Sequence, residues 1–105
     1  MKEVIYYKTI SNKCPYLEWY NSMDKSIRLI VDRRIDRIKL GNFGNCRRFD
    51  NLIEIKFQEG SGYRIYGYEC NDTIVIFLLA GDKKRQSKDI ELAKKYLEEF
   101  NERYN

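Results

Sequence analysis

Two hydrophobic periods run along this chain, one of about 2 and one of about 3.6 residues, and they divide it into strands and helices. Glu3 to Thr9 (EVIYYKT) is rich in β-branched and aromatic residues and gives way to Ser11, Asn12 and Pro15, which predicts a first strand. Tyr16, Leu17, Trp19 and Tyr20 stripe a short helix from Tyr16 to Met23, and Pro15 suits its first turn. A longer helix follows, capped by Asp24, in which Ile27, Ile30, Val31, Ile35 and Ile38 recur at helical spacing until Gly41 stops it. After the turn GNFG at 41 to 44, the segments Leu52 to Phe57, Tyr63 to Cys70 and Thr73 to Ala80 read as strands, and TIVIFLLA, apolar on both faces, is expected to be central. A helix from Gln86 to Phe100 closes the chain on a stripe of Ile90, Ala93, Leu97 and Phe100. That order predicts an α+β layer, with helices on one side of an antiparallel sheet.

Burial sets the register of the central hairpin. Ile53, Ile55 and Phe57 alternate with Glu54 and Lys56, and Tyr63 and Ile65 alternate with Arg64, Tyr66 and Tyr68. With Gln58 to Gly62 as the loop, Phe57 faces Tyr63 and Lys56 faces Arg64, so both apolar sets share the core face. The other face is then expected to be open, displaying Glu54, Lys56, Arg64, Tyr66 and Tyr68. Cations there would neutralise phosphate and phenol rings would stack unpaired bases, each stack contributing about 1 to 3 kcal/mol. The same residues also suit a protein interface, because aromatics and arginine are enriched there.

Composition narrows the chemistry. A length of 105 residues, 43% hydrophobic and 34% charged, predicts one globular domain across residues 1–105. The start MKEVIYYKT has no apolar signal core and no segment is long enough to span a membrane, from which a cytoplasmic protein is expected. Cys14, Cys46 and Cys70 lack ligand spacing and read as reduced and structural. The net charge of +4 favours a polyanionic partner, and the absence of histidine excludes Ser-His, Cys-His and zinc-histidine mechanisms. Arg28, Arg33, Arg37 and Lys39 alternate with Asp32 and Asp36, which reads as a solvated helix face. In GDKKRQSKDI, by contrast, Lys83, Lys84, Arg85 and Lys88 crowd a turn before a helix, where Asp89 offsets them in part. A bound anion and plain solvation are both open readings of that run.

The strings RIDRIKLGNFGN at 34 to 45, IEIKF, GSGYRIYGY and LLAGDKKRQSKDIELAKKY together resemble the HigB-like addiction-module killer proteins of the RelE/ParE superfamily, from about Trp19 to Tyr96. The resemblance implies a RelE/ParE-like fold, a curved antiparallel sheet with two N-terminal helices packed on it and a C-terminal helix. It also implies the toxin half of a type II toxin-antitoxin system, an endoribonuclease that cuts messenger RNA, often on the ribosome, and so blocks translation. A DNA-binding antitoxin, acidic where it meets the toxin, would be its partner. The family's Glu-hydrophobic-Arg tripeptide is here Glu54, Ile55 and Lys56, where lysine keeps the charge but loses the bidentate fork. Arg64 matches the Gly-Tyr-Arg motif, and Lys83, Gln86 and Asp89 match Gly-Asp-Lys-x-x-Gln-x-x-Asp-Ile.

The expected mechanism uses neither metal nor cofactor. Arg64 and Lys56 would stabilise charge on the phosphorane, Lys83 or Lys84 would act as base, and Tyr66 or Tyr68 would stack a base or donate a proton. Arg48 and Gln86 join Lys84 and Tyr68 as expected substrate contacts. Two other functions stay open: a ParE-like DNA gyrase inhibitor, which the resemblance to the superfamily allows, and an RNA-binding regulator that leaves RNA intact.

Overall fold

The computed structural model describes residues 1–104. Along the chain run β1 (Glu3–Tyr6), α1 (Pro15–Ser22), α2 (Lys25–Lys39), β2 (Cys46–Phe49), β3 (Leu52–Lys56), β4 (Arg64–Glu69), β5 (Ile74–Gly81), a 3-10 turn (Lys83–Arg85) and α3 (Gln86–Tyr104). Pro15 opens α1 as expected. Val31, Ile35 and Ile38 are the buried stripe of α2, and Gly41, at φ +94°, ends that helix in a conformation that favours glycine. Asp24 holds the N-cap through its backbone carbonyl, which accepts from the N–H groups of Ile27 and Arg28, and its carboxylate makes no cap bond. The closing helix runs to Tyr104, past the expected end at Phe100, and Arg103 Nη1 donates to the Lys8 carbonyl at 2.7 Å.

Among the described residues the strands form one sheet in the order β1-β5-β4-β3-β2. The hairpin has the register that burial predicts, with Lys56 opposite Arg64 and the Phe57 N–H donating to the Tyr63 carbonyl at 2.9 Å. Two expectations about the sheet are corrected. It is mixed rather than antiparallel, because β1 pairs in parallel with β5 from Glu3/Ile74 to Tyr6/Phe77. Without β1, the outer edge of the apolar β5 would leave its backbone groups unpaired. Arg47 and Arg48 also belong to a strand, β2, which the apolar pattern does not reveal because its exposed edge carries two cations.

The helices do not share one side. Tyr16, Val31, Ile35 and Ile38 from α1 and α2 pack on Ile53, Ile55, Ile65, Val75 and Phe77. α3 covers the opposite face, where Ala93 and Leu97 meet Leu52, Tyr66, Ile76, Leu78 and Leu79. A bulge between Tyr66 and Gly67 skips one residue of β5, so Leu78 and Leu79 both join the α3 side. Leaving those residues in water would forfeit about 1.5–3 kcal/mol per large side chain, which is why the face expected to be open is closed by a helix. β5, flanked by β1 and β4, is interior as its apolar pattern requires. No helix among the described residues is long and apolar enough to cross a membrane.

Candidate functional site

Strand pairing builds two polar rows on the α3 side of the sheet. Arg47, Glu54, Tyr66 and Leu79 are cross-strand neighbours from β2 to β5, and Lys56, Arg64 and Gly81 form the next row toward the hairpin loop. α3 begins above these rows and the 3-10 turn lies beside them, so the sheet and the basic run meet at one end of the molecule.

Glu54 is the hub. Its side chain has 0% exposure, against the open position the alternation predicts. Oε1 accepts from Arg47 Nε at 3.1 Å, and Oε2 accepts from Gln86 Nε2 at 3.0 Å with Arg64 Nε 3.5 Å away. A buried carboxylate needs such partners, because an unpaired one would lose several kcal/mol of hydration. Tyr66 is equally buried, and its phenol is held well above the usual range, first by desolvation and then by the Glu54 charge. Both roles expected of Tyr66 are therefore corrected: with ring and hydroxyl enclosed, it can neither stack a base nor hand a proton to a substrate.

Arg64 and the basic run converge over the hairpin loop. Arg64 Nη1 donates to the Gly62 carbonyl at 2.8 Å, and the Lys83 N–H donates to the Ser61 carbonyl at 3.3 Å. Gly62 has φ +74°, and a Cβ there would lie 3.4 Å from both Arg64 Nη1 and the Lys83 Cβ. The left-handed backbone rather than the space favours glycine at this turn, where β4 and the 3-10 turn come close. Asp82 caps the turn, Oδ1 accepting from the Arg85 N–H at 3.2 Å, and Lys83, Lys84, Arg85 and Lys88 are exposed around it. Of the expected residues, Lys56, Arg64, Lys83 and Gln86 come together here with Tyr66 beneath them, and Lys84 borders them.

Tyr68 and Arg48 do not join. Tyr68 lies four residues along β4, its ring 6.1 Å from that of Phe100 near the far end of α3. Arg48 is opposite Ile53, on the α1–α2 side of the sheet, where Nε and Nη2 grip both oxygens of Glu69 at 2.6 and 3.3 Å. The residue the sequence reading missed is its neighbour Arg47. One position decides the face, and only the pairing of Arg47 with Glu54 shows which of two adjacent arginines enters the site. An apolar cavity of about 530 Å³, lined by residues such as Ile5, Tyr7, Ile76 and Phe100, holds none of these cations.

Asp89, in the first turn of α3, is buried over Gly81, where any Cβ would collide with its Oδ2. Among the described residues that oxygen has no hydrogen-bond partner, and Arg85 Nε stands 3.7 Å from Oδ1. Desolvation raises the Asp89 carboxyl above its ordinary value, Arg85 pulls it down and Asp82 adds to the rise. The folded chain therefore holds this proton more tightly than the unfolded chain. Ionising it costs stability as pH rises through the folded-state value. Asp89→Asn is expected to stabilise the protein at neutral pH by on the order of 1 kcal/mol, the gain vanishing in acid. Thermal melts across that pH range check it.

No family model matches the chain, and no solved structure matches it. It is similar to an uncharacterized protein of Haemophilus influenzae, 41% identical over 71 residues, which are 67% of this chain and 72% of that protein.

Proposed function

The chain belongs to one family with the Haemophilus influenzae protein, and we propose that it is the toxin of a type II toxin-antitoxin pair, a metal-independent endoribonuclease on a RelE/ParE-like fold. The observation that carries this reading is that the Arg64 guanidinium and the Cβ of Lys83 both border Gly62, with Lys56 as the cross-strand neighbour of Arg64. Three cations on rigid backbone at one end of a sheet suit a phosphodiester, and the strings that resemble HigB-like killer proteins contribute each of them. RNA supplies its own nucleophile. The ribose 2′-oxygen forms a bond to phosphorus, the bond from phosphorus to the 5′-oxygen breaks, and a cyclic phosphate and a 5′-hydroxyl result. Lys83 or Lys84, acting as the free amine, takes the 2′-hydroxyl proton and becomes the ammonium, solvent returns a proton to the leaving oxygen, and Arg64 and Lys56 balance the charge that develops on phosphorus. Translation in the cytoplasm would be the process interrupted, and an antitoxin acidic at its contact would silence the toxin by covering the cations.

The test is to incubate the purified protein with messenger RNA, with and without ribosomes, and to map the new ends. Fragments with 5′-hydroxyl and cyclic phosphate ends are expected. RNA that is bound but left intact in both reactions would make the protein a regulator instead. DNA damage on expression, with full-length transcripts preserved, would make it a gyrase inhibitor.

A further inference from the structure

We propose that Arg47, which no sequence motif marks, is a substrate-binding residue of this site and supplies the second guanidinium of a phosphate clamp whose first is Arg64. The inference rests on the RNA reading above and names the group that holds the phosphate.

One carboxylate serves two arginines. Glu54 receives the Nε of Arg47 on one oxygen and faces the Nε of Arg64 with the other, so the trio carries a net charge of +1 before Lys56 and Lys83 are added. An arginine held through Nε keeps its two Nη groups for another acceptor, and a planar fork of that kind matches two phosphate oxygens. Arg48 shows the contrast: its fork closes on both oxygens of one carboxylate, Glu69, through Nε and Nη2, on the other side of the sheet. Arg47 gives Glu54 its Nε alone, its side chain is 49% exposed, and its guanidinium carbon lies 4.3 Å from the centre of the Phe49 ring, which supports it from below. Arg64, at 12% exposure, is the anchored member, tied to Gly62; Arg47 is the solvent-facing one.

The arrangement also accounts for lysine at position 56. Lys56 shares the α3 side with Glu54 but is a point charge, with no fork to offer. Arg47, one strand across from Glu54, brings a fork to the same carboxylate from the other side. Glu54 is then a positioning residue: it sets the direction of both guanidinium groups and touches no substrate.

The experiment compares the wild type, Arg47→Gln and the double variant Arg47→Gln with Lys56→Arg, using a single-stranded RNA oligonucleotide titrated across a range of salt. Glutamine keeps a hydrogen-bond donor for Glu54, so the fold should stand, and circular dichroism checks that it does. Arg47→Gln is expected to bind about tenfold more weakly and to lower the slope of log K against log salt by about 0.7, the share of one phosphate contact on a single strand. Lys56→Arg is expected to restore most of the affinity by supplying a fork from the neighbouring strand. If Arg47→Gln fails to fold, Arg47→Lys takes its place, with the affinity loss and its rescue as the readout. A folded variant that binds and cleaves like the wild type at every salt concentration overturns the assignment of Arg47 and leaves the nuclease reading standing. Wild-type protein that binds no RNA removes both.

Discussion

Arg64→Ala is expected to leave a folded protein whose RNA cleavage is slower by a factor of about 10² to 10³, the usual effect of removing one preorganised donor from a developing oxyanion. Three features of the site set that expectation. Arg64 is fixed at Nη1 by the Gly62 carbonyl and has its counter-charge, Glu54 Oε2, 3.5 Å from Nε, so little reorganisation remains to be made when charge develops. Its side chain is mostly buried, which places the charge where water screens it least. Glu54 keeps Arg47 and Gln86 as partners after the truncation, so the carboxylate is not stranded and the loss should fall on the reaction rather than the fold. Single-turnover cleavage of a short RNA, beside a thermal melt, separates the two. Cleavage within about threefold of wild type in a folded Arg64→Ala would remove Arg64 from the chemistry.

Glu54→Ala acts on stability instead. Deleting the hub takes away the acceptor of Gln86 and the counter-charge of Arg64, which keeps the Gly62 carbonyl at Nη1 but is only 12% exposed. Breaking a buried ion pair by removing one member costs about 3 to 5 kcal/mol, which for a domain of this size lowers Tm by roughly 12 to 25 °C. Arg47, half in solvent, can swing outward and limits the damage to the lower part of that range. Glu54→Gln keeps the shape and one acceptor and should fall between the two. Urea or thermal unfolding at neutral pH measures it; a Glu54→Ala protein as stable as the wild type would mean that the hub carries no energetic weight.

Arg64 and Glu54 share one face, which its polar residues mark as open although α3 covers it. Alternation along β3 and β4 sorts their side chains into two sets without saying whether either set meets water. Glu54 and Tyr66 are polar, so the set containing them reads as the outside. Apart from Leu52 at the start of β3, the apolar residues that betray the second core are on another segment, Ile76, Leu78 and Leu79 in β5, and the last two share a side only because of the bulge. The stripe on α3 was legible, but where it would land was not.

What local physics dictates was therefore readable in the residues: α1 and α2, the start of α3, the hairpin register that places Lys56 opposite Arg64, and the basic run that follows β5. Each depends on contacts between residues close in the chain or on the period of a single element. Long-range pairing settled the rest, namely β1 alongside β5, α3 across the second face, Glu54 in the interior and Arg47 rather than Arg48 beside it. A shift of one residue or a choice between two faces changes nothing in the local pattern, while it changes which charge is solvated and which is buried; only the assembled sheet and helices distinguish them.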